Sequence, residues 1–221
     1  MKSRQEIKAL GKEAMMQQRK ISILLVLSII VLSGVYLLVG RIPAVGFLLA
    51  IAASFLLIAW SINVYGEFIK VYKRETASLD EVSSGLKVNF WRKVGGVYWL
   101  YLWVFLWSLL LIIPGIVKFI SYYFTAYILA DCPEVKATDA LKLSMRMTQG
   151  HKMDIFIFLL SWIGWLILSV LTLGILYIVY VGPYWYTAES GLYLEIRNKA
   201  IAEGRITPEE LGKTAAELSI G

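Results

Sequence analysis

The sequence predicts an all-α integral membrane protein, a helical bundle of six transmembrane helices arranged as three hairpins with cytoplasmic amphipathic connecting helices. Apolar residues make up 58% of the chain and charged residues only 17%, against about 45–50% and about 25% in soluble globular proteins. Five long stretches carry no charge, and glycine or Pro-Gly falls where hairpins need turns. The composition excludes a soluble monomer and a disordered chain, and the single Cys132 excludes a disulfide framework.

The uncharged stretches locate the crossings, because a charge at a bilayer centre costs about 2.5–3.5 kcal/mol. Residues 21–40, 42–66 and 94–117 each supply the roughly 20 residues that one crossing needs. The uncharged stretches 119–130 and 155–188 supply three further crossings if Pro114-Gly115 and Gly174 form tight turns. The predicted crossings are 21–39, 44–65, 95–113, 116–130, 155–173 and 175–190. The alternative is that the short helices 116–130 and 175–190 are re-entrant and stop partway.

Polar segments divide the chain further. We predict a cytoplasmic amphipathic N-terminal helix in 1–20, hairpins in 21–66, 95–131 and 155–195, cytoplasmic amphipathic loops in 67–94 and 132–154, and a cytoplasmic tail in 196–221. Ser3 and Glu6 form a capping box for a helix over 4–18. Amphipathic helices are expected over 79–93 and 137–149, where they either brace the bundle or sense lipid. Behind the Thr207 cap, a short cytoplasmic helix is expected over 208–218, either as a solvated appendage or as a docking segment for a partner.

The distribution of positive charge predicts the orientation. Of the 22 Lys and Arg, all but Arg41 and Lys118 lie in the terminal segments and the two wide loops. This asymmetry predicts a plasma-membrane protein with both termini in the cytoplasm. It also explains the basic net charge without nucleic acid. Anionic lipids of the bilayer are expected partners, and the candidate contacts are Arg19, Lys20, Arg92, Lys93, His151 and Lys152.

An internal repeat relates the second and third hairpins. A shift of 59 residues superposes Asp80 on Asp139 and Gly115 on Gly174. All hairpins enter from one side, so the repeat is parallel, and with the flat aromatic faces it predicts a homo-oligomer.

Each returning helix ends in an acid: Glu67, Asp131 and Glu189. Each acid either pairs with the basic residues that open its own hairpin or simply faces water. Glu189 forms a candidate polar pocket with Thr187 and Ser190. Glu189→Gln is then expected to alter stability or activity more than Glu67→Gln.

The sequence predicts no catalytic residue, no cofactor site and no metal site. The one His and one Cys cannot supply the converging groups that acid–base, nucleophilic or zinc chemistry needs. Aromatic residues are abundant instead, with 8 Trp, 13 Tyr and 9 Phe. They either pack between helices and against lipid or line a cavity for a hydrophobic or cationic ligand.

Several motifs resemble a bacterial integral membrane family called domain of unknown function 975. They read IIPGIVKFISYYFTAYILAD, LKLSMRMTQGHK, FLLSWIGWLIL, TLGIL and VGPYW. The resemblance covers about residues 3–195 and implies a multi-pass membrane fold, but no activity. Its implied signature positions are Pro114, Gly115, Tyr122, Asp131, Ala140, Ser144, Gly150, Lys152, Gly164, Trp165, Gly174, Pro183 and Tyr184.

The expected function is therefore non-enzymatic. We predict a scaffold, an accessory subunit or a module that binds lipid or a hydrophobic ligand, acting as an oligomer or with a membrane protein partner. The alternative is a small transporter or channel with a path between the hairpins. The absence of a charge in the middle of any crossing disfavours that alternative.

Overall fold

The computed structural model describes residues 2–43, 45–110, 112–214 and 218, and this part of the chain is all-α, as predicted. Its α-helices are α1 Arg4–Gln17, α2 Arg19–Val39, α3 Gly46–Lys73, α4 Leu79–Ser84, α5 Phe90–Leu110, α6 Ile112–Tyr122, α7 Thr125–Asp131, α8 Ala137–Thr148, α9 Lys152–Leu160, α10 Ile163–Leu171 and α11 Gly182–Ala202. Short 3-10 turns cover Gly85–Lys87 and Glu209–Leu211, and a π-helical turn covers Tyr177–Val181.

Three helices within the described ranges are long and apolar enough to cross a membrane. They are Arg19–Val39, Gly46–Lys73 and Lys152–Leu171, the last running through α9 and α10. Arg19–Val39 contains the predicted crossing 21–39. Gly46–Lys73 covers 46–65 of the predicted crossing 44–65 and continues eight residues beyond it, while residue 44 falls outside the described part. The predicted crossing 95–113 lies mostly in α5, but it includes residue 111, which falls outside the described part.

The molecule divides into a packed half and an apolar half. One large core joins the N-terminal helix, the ends of the returning helices and the C-terminal segment, through residues such as Ile7, Leu129 and Leu192. At the other end of the helices, large apolar side chains are exposed: Phe47 by 74%, Leu109 by 68% and Leu171 by 76%. Such exposure is unfavourable in water and ordinary against lipid. The molecule is therefore built for a membrane at that end.

Helix α1 is docked on the bundle. The predicted capping box is confirmed, since the Ser3 hydroxyl accepts from Glu6 N and the Glu6 carboxylate accepts from Ser3 N. Gly11 lies so close to α11 that an added Cβ would be 2.8 Å from the Ala188 Cα. The N-terminal helix therefore packs directly on α11, most of whose residues are buried.

The turn predicted at Pro114-Gly115 is not found there. Helix α5 ends at Leu110, and Pro114 and Gly115 lie within the first turns of α6, which begins at Ile112. A proline in a first helical turn removes no intrahelical hydrogen bond. Gly115 serves the packing of α6 on α5, because an added Cβ would lie 2.7 Å from Ser108 Oγ.

In the segment predicted as the third hairpin, a turn lies at Gly174 as expected, but the flanking segments are less regular than two straight helices. Gly174 adopts a φ of 83° in the turn after α10. Ser161 and Trp162 separate α9 from α10, and Lys8 of α1 donates to Ser161 Oγ at 2.6 Å there. The π-helical turn precedes Pro183, which has no backbone N–H for a regular helical bond.

The connecting segments are confirmed in one case and corrected in two. Helix α8 matches the predicted 137–149, and Gly150 follows it with a φ of 81°. The predicted helix 79–93 is broken, because Asn89 has a φ of 51° and separates the 3-10 turn from α5. In the predicted tail helix 208–218, a 3-10 turn covers Glu209–Leu211 and Gly212 ends it with a φ of 63°, while residues 215–217 lie outside the described part. The tail nevertheless packs, since Leu211 is buried.

Candidate functional site

A buried carboxyl lies where α11 crosses α7. Glu189 is only 5% exposed, and the Tyr127 hydroxyl donates to its Oε2 at 2.7 Å. No ion pair among the described residues involves Glu189. Because a buried carboxylate without a cation is costly, Glu189 is the most unusual polar group in the described core.

Aromatic rings surround this carboxyl. Tyr65 of α3 stacks on Tyr127 with ring centroids 5.0 Å apart, and it also contacts Tyr186 at 5.7 Å. A cavity of about 340 Å³ opens beside them. Its walls are Tyr65, Tyr123, Ala126, Tyr127, Leu166, Tyr177, Trp185, Tyr186 and Glu189. The cavity is thus aromatic, with one acid in its lining.

The predicted polar pocket is corrected in its composition. The Thr187 hydroxyl donates to Pro183 O and the Ser190 hydroxyl to Tyr186 O, both within α11. Both hydroxyls thus donate within their own helix, Ser190 also lies within hydrogen-bonding reach of Tyr127, and neither residue lines the cavity. Of the predicted trio only Glu189 does. The tyrosines were missed as partners of Glu189 because they come from different helices, and no spacing in the chain relates Tyr65 to Glu189.

Asp131 forms a second buried polar cluster. Its Oδ2 accepts from Arg197 Nη1 at 2.8 Å and from the Tyr193 hydroxyl at 2.9 Å, and its Oδ1 accepts from Lys213 Nζ at 2.5 Å. Burial alone would raise the pKa of Asp131, but the charges of Lys213 and Arg197 outweigh burial and lower it. The cluster joins α7, α11 and the C-terminal segment, so it is structural.

Cys132 lies beside this cluster and is fully buried. Burial, together with the neighbouring charge of Asp131, raises the pKa of the Cys132 thiol to about 12. The thiol is therefore protonated and a poor nucleophile at neutral pH. Within the described residues, no three His, Cys, Asp or Glu side chains converge as a metal site would require.

The predicted ion pairs between the two ends of each hairpin do not form. Glu67 is buried and pairs with Lys70 at 2.8 Å rather than with Arg19 or Lys20. Asp131 pairs with cations from later in the chain, and Glu189 binds a tyrosine. The alternative interpretation, that the three acids face water, is also wrong. The side chains of Glu67, Asp131 and Glu189 are buried, because the helix ends that carry them pack against other helices.

The basic residues predicted to contact lipid separate into two groups. Arg92 donates to the carbonyls of Leu129, Cys132 and Val135. Lys93 donates to Asn63 Oδ1 and Gly85 O, and burial together with Arg92 lowers the pKa of Lys93 to about 8. His151 is buried, 3.2 Å from Asp154 Oδ2. Arg19 and Lys20 are exposed and Lys152 is half-buried. These three residues remain candidates for contact with anionic lipids.

The signature positions have mainly structural places. Tyr184 packs its ring 4.8 Å from that of Trp162, and Trp165 contacts Tyr180. The Ser144 hydroxyl donates to Ser121 O, which fixes α8 to α6. Ala140 is buried, Lys152 begins α9, and Gly164 has no neighbour within 4 Å of an added Cβ. Tyr122 lines a different cavity, between α5, α6 and α8.

Comparison with known proteins gives a family. Residues 97–200 match the model described as Protein of unknown function (DUF975). The matched segment covers most of the second and third hairpins, a shorter range than the resemblance expected over 3–195. No curated protein and no solved structure matches the chain. Residues 97–200 hold all the predicted motifs, so the match confirms the resemblance to the DUF975 family of proteins of unknown function over that segment.

Proposed function

We propose that the chain is a multi-pass protein of the plasma membrane with six crossings in three hairpins and both termini in the cytoplasm. Three apolar helices of sufficient length, the exposed apolar side chains at one end of the bundle and the one-sided distribution of Lys and Arg support this arrangement. The packed half, with α1, α8 and the C-terminal segment, then lies at the cytoplasmic surface.

Within this arrangement, the protein acts as a non-catalytic membrane module that binds a hydrophobic organic cation. The observation that carries the proposal is the aromatic cavity with Glu189 in its wall. Aromatic faces attract cations by about 0.5–2 kcal/mol each when water is excluded. The Glu189 carboxylate lies in the wall of this cavity and has no cationic partner, so a ligand that carries a positive charge is favoured there.

The tyrosines are suited to such a ligand by their number and arrangement. Tyr65, Tyr127 and Tyr186 come from three helices and meet at ring distances of 5.0 and 5.7 Å. Tyr123, Tyr177 and Trp185 bring the aromatic side chains of the lining to six. A ligand of moderate size could bury its apolar body among these rings while its charge approaches Glu189.

A transporter that carries such a cation is the second candidate. Ionisable groups that line a cavity between membrane helices are typical of transport pathways, and Glu189 lines such a cavity between α3, α7, α10 and α11. In either case we propose that the module works as a homo-oligomer or with a membrane partner. The exposed aromatic side chains Trp99, Tyr101 and Phe105 of α5 support an interface there.

Isothermal titration calorimetry on the purified protein in detergent tests the proposal. Benzyltrimethylammonium is the probe, and neopentylbenzene is its neutral counterpart of the same shape. We expect the cation to bind the wild-type protein and Glu67→Gln alike, and to bind Glu189→Gln at least about tenfold more weakly, which corresponds to about 1.4 kcal/mol. Absence of binding to the wild type, equal binding of the neutral compound, or unchanged binding to Glu189→Gln would each contradict the proposal.

A further inference from the structure

A second cavity lies between the α5–α6 hairpin and α8, away from Glu189. It has a volume of about 550 Å³. One wall is a stripe of tryptophans, Trp99, Trp103 and Trp107, spaced four residues apart so that all three share one face of α5. Tyr122, Leu141 and Met145 complete the apolar lining, and Thr138 lies at the edge. The shape and lining suit an acyl chain.

Two lysines complete the lining. The Lys118 ammonium lies 4.5 Å from the Trp107 ring centroid and 5.9 Å from that of Tyr122. Lys142 is mostly exposed and has Asp139, at 3.4 Å, as a weak partner on its own helix. An anion in the cavity would therefore meet two positive charges, and neither would have to leave a buried ion pair.

The two lysines come from segments that the distribution of charge assigns to opposite sides of the membrane. Lys118 is one of two basic residues expected on the outer side, yet it lines the same cavity as Lys142 of cytoplasmic α8. The structure brings α6 and α8 together, since the Ser144 hydroxyl donates to Ser121 O at 2.9 Å. Lys118 and Lys142 therefore line one cavity, and both ammonium groups can meet one phosphate.

We propose that this cavity binds one anionic phospholipid, with an acyl chain along the tryptophan stripe and the phosphate near Lys118 and Lys142. The combination of an apolar aromatic wall with two ammonium groups, in a surface proposed to face lipid, matches an amphiphile with a negative headgroup. The site is independent of the cation cavity, since it shares no lining residue with it.

Native mass spectrometry of the full chain in detergent, with phosphatidylglycerol and phosphatidylcholine added in equal amounts, tests the proposal. We expect one phosphatidylglycerol to be retained per chain, at least about fivefold more often than phosphatidylcholine. The double variant Lys118→Gln with Lys142→Gln should lose this preference. The matched control, Lys12→Gln with Lys87→Gln, changes two exposed lysines outside the cavity and should keep it.

A second readout separates the apolar wall from the charges. Trp103→Leu should reduce retention of both lipids together, and its melting temperature shows whether the variant is folded. Lys142→Gln alone, an exposed change, should halve the preference or more without unfolding. The proposal is overturned if the double variant keeps the preference, if the wild type has none, or if millimolar inorganic phosphate displaces the lipid, which would assign the site to a free anion.

Discussion

Lys213 Nζ lies 2.5 Å from Oδ1 of Asp131, a residue 82 positions earlier in the chain. This contact joins the C-terminal segment to the end of α7, and Arg197 of α11 reaches the other carboxylate oxygen at 2.8 Å. One side chain therefore holds three segments that are distant in sequence. The cluster therefore links parts of the packed half that the apolar core also joins.

Removing the charge of Asp131 should destabilise the protein strongly. Asp131→Asn leaves the fully buried Arg197 without its carboxylate, and breaking a buried ion pair from one side costs about 3 kcal/mol or more. Glu13→Gln breaks an exposed pair with Arg74 and should cost less than about 1 kcal/mol. Thermal unfolding of both variants in detergent checks this. A similar, small decrease in melting temperature for both variants would mean that the buried Asp131 cluster contributes no more stability than an exposed ion pair.

The same cluster predicts a dependence on pH. The charges of Lys213 and Arg197 hold the pKa of Asp131 below its unfolded value of 3.8 despite burial. Its stabilisation is therefore fully present above that value and is lost as the pH falls through the lower, folded-state pKa. The difference in melting temperature between wild type and Asp131→Asn should stay constant from pH 7 to about pH 5 and shrink below about pH 4. A difference that grows on acidification would contradict this assignment.

Glu67 and Glu189 should separate stability from ligand binding. Glu67 pairs with Lys70 at 2.8 Å and accepts from Ser78 N at 2.9 Å, so Glu67→Gln should cost about 1.5 kcal/mol of stability. Glu189→Gln keeps an oxygen for the Tyr127 hydroxyl and should cost less. The expectation from the sequence is that Glu189→Gln has the larger effect. We then expect this to be true of the affinity for the cation but not of the free energy of unfolding. Melting temperatures in the opposite order would show that Glu189 is itself part of the structural framework.

The close approach of α1 to α11 gives a steric prediction. An alanine at position 11 would bring its Cβ within 2.8 Å of the Ala188 Cα, a backbone atom that cannot rotate away. We expect Gly11→Ala to cost about 1–3 kcal/mol and to expose α1 to limited proteolysis. Gly34→Ala has no neighbour within 4 Å of the new Cβ and should be neutral or slightly stabilising. Equal proteolysis of the two variants would argue that α1 is not firmly docked.

Sequence patterns within one segment correctly predicted those structural elements that depend only on neighbouring residues. The capping box at Ser3 and Glu6, the amphipathic α8 and the glycine turn at Gly174 each depend on neighbouring residues, and each is found where expected. The Pro114-Gly115 turn was misplaced because the same dipeptide also fits the first turns of a helix. Only its packing against Ser108 distinguishes the two uses.

The candidate site was predicted less completely, for a physical reason. Glu189 could be singled out as an acid at the end of an apolar helix. Its surroundings depend on how α3 and α7 pack against α11, and no pattern within one segment encodes that Tyr65 and Tyr127 meet there. The burial of Asp131 had the same cause, since its partner Lys213 lies in a tail that was expected to be a separate helix.

The central claim is that the wide polar bends face the cell interior. Labelling of single-cysteine variants in intact cells with a membrane-impermeant maleimide tests it most directly, and Cys132 can stay because its buried thiol is protonated. Ser84 and Arg41 are both exposed, on the predicted inner and outer sides. We predict labelling of Arg41→Cys in intact cells and of Ser84→Cys only after permeabilisation. Strong labelling of Ser84→Cys in intact cells would contradict the topology and the functions that depend on it.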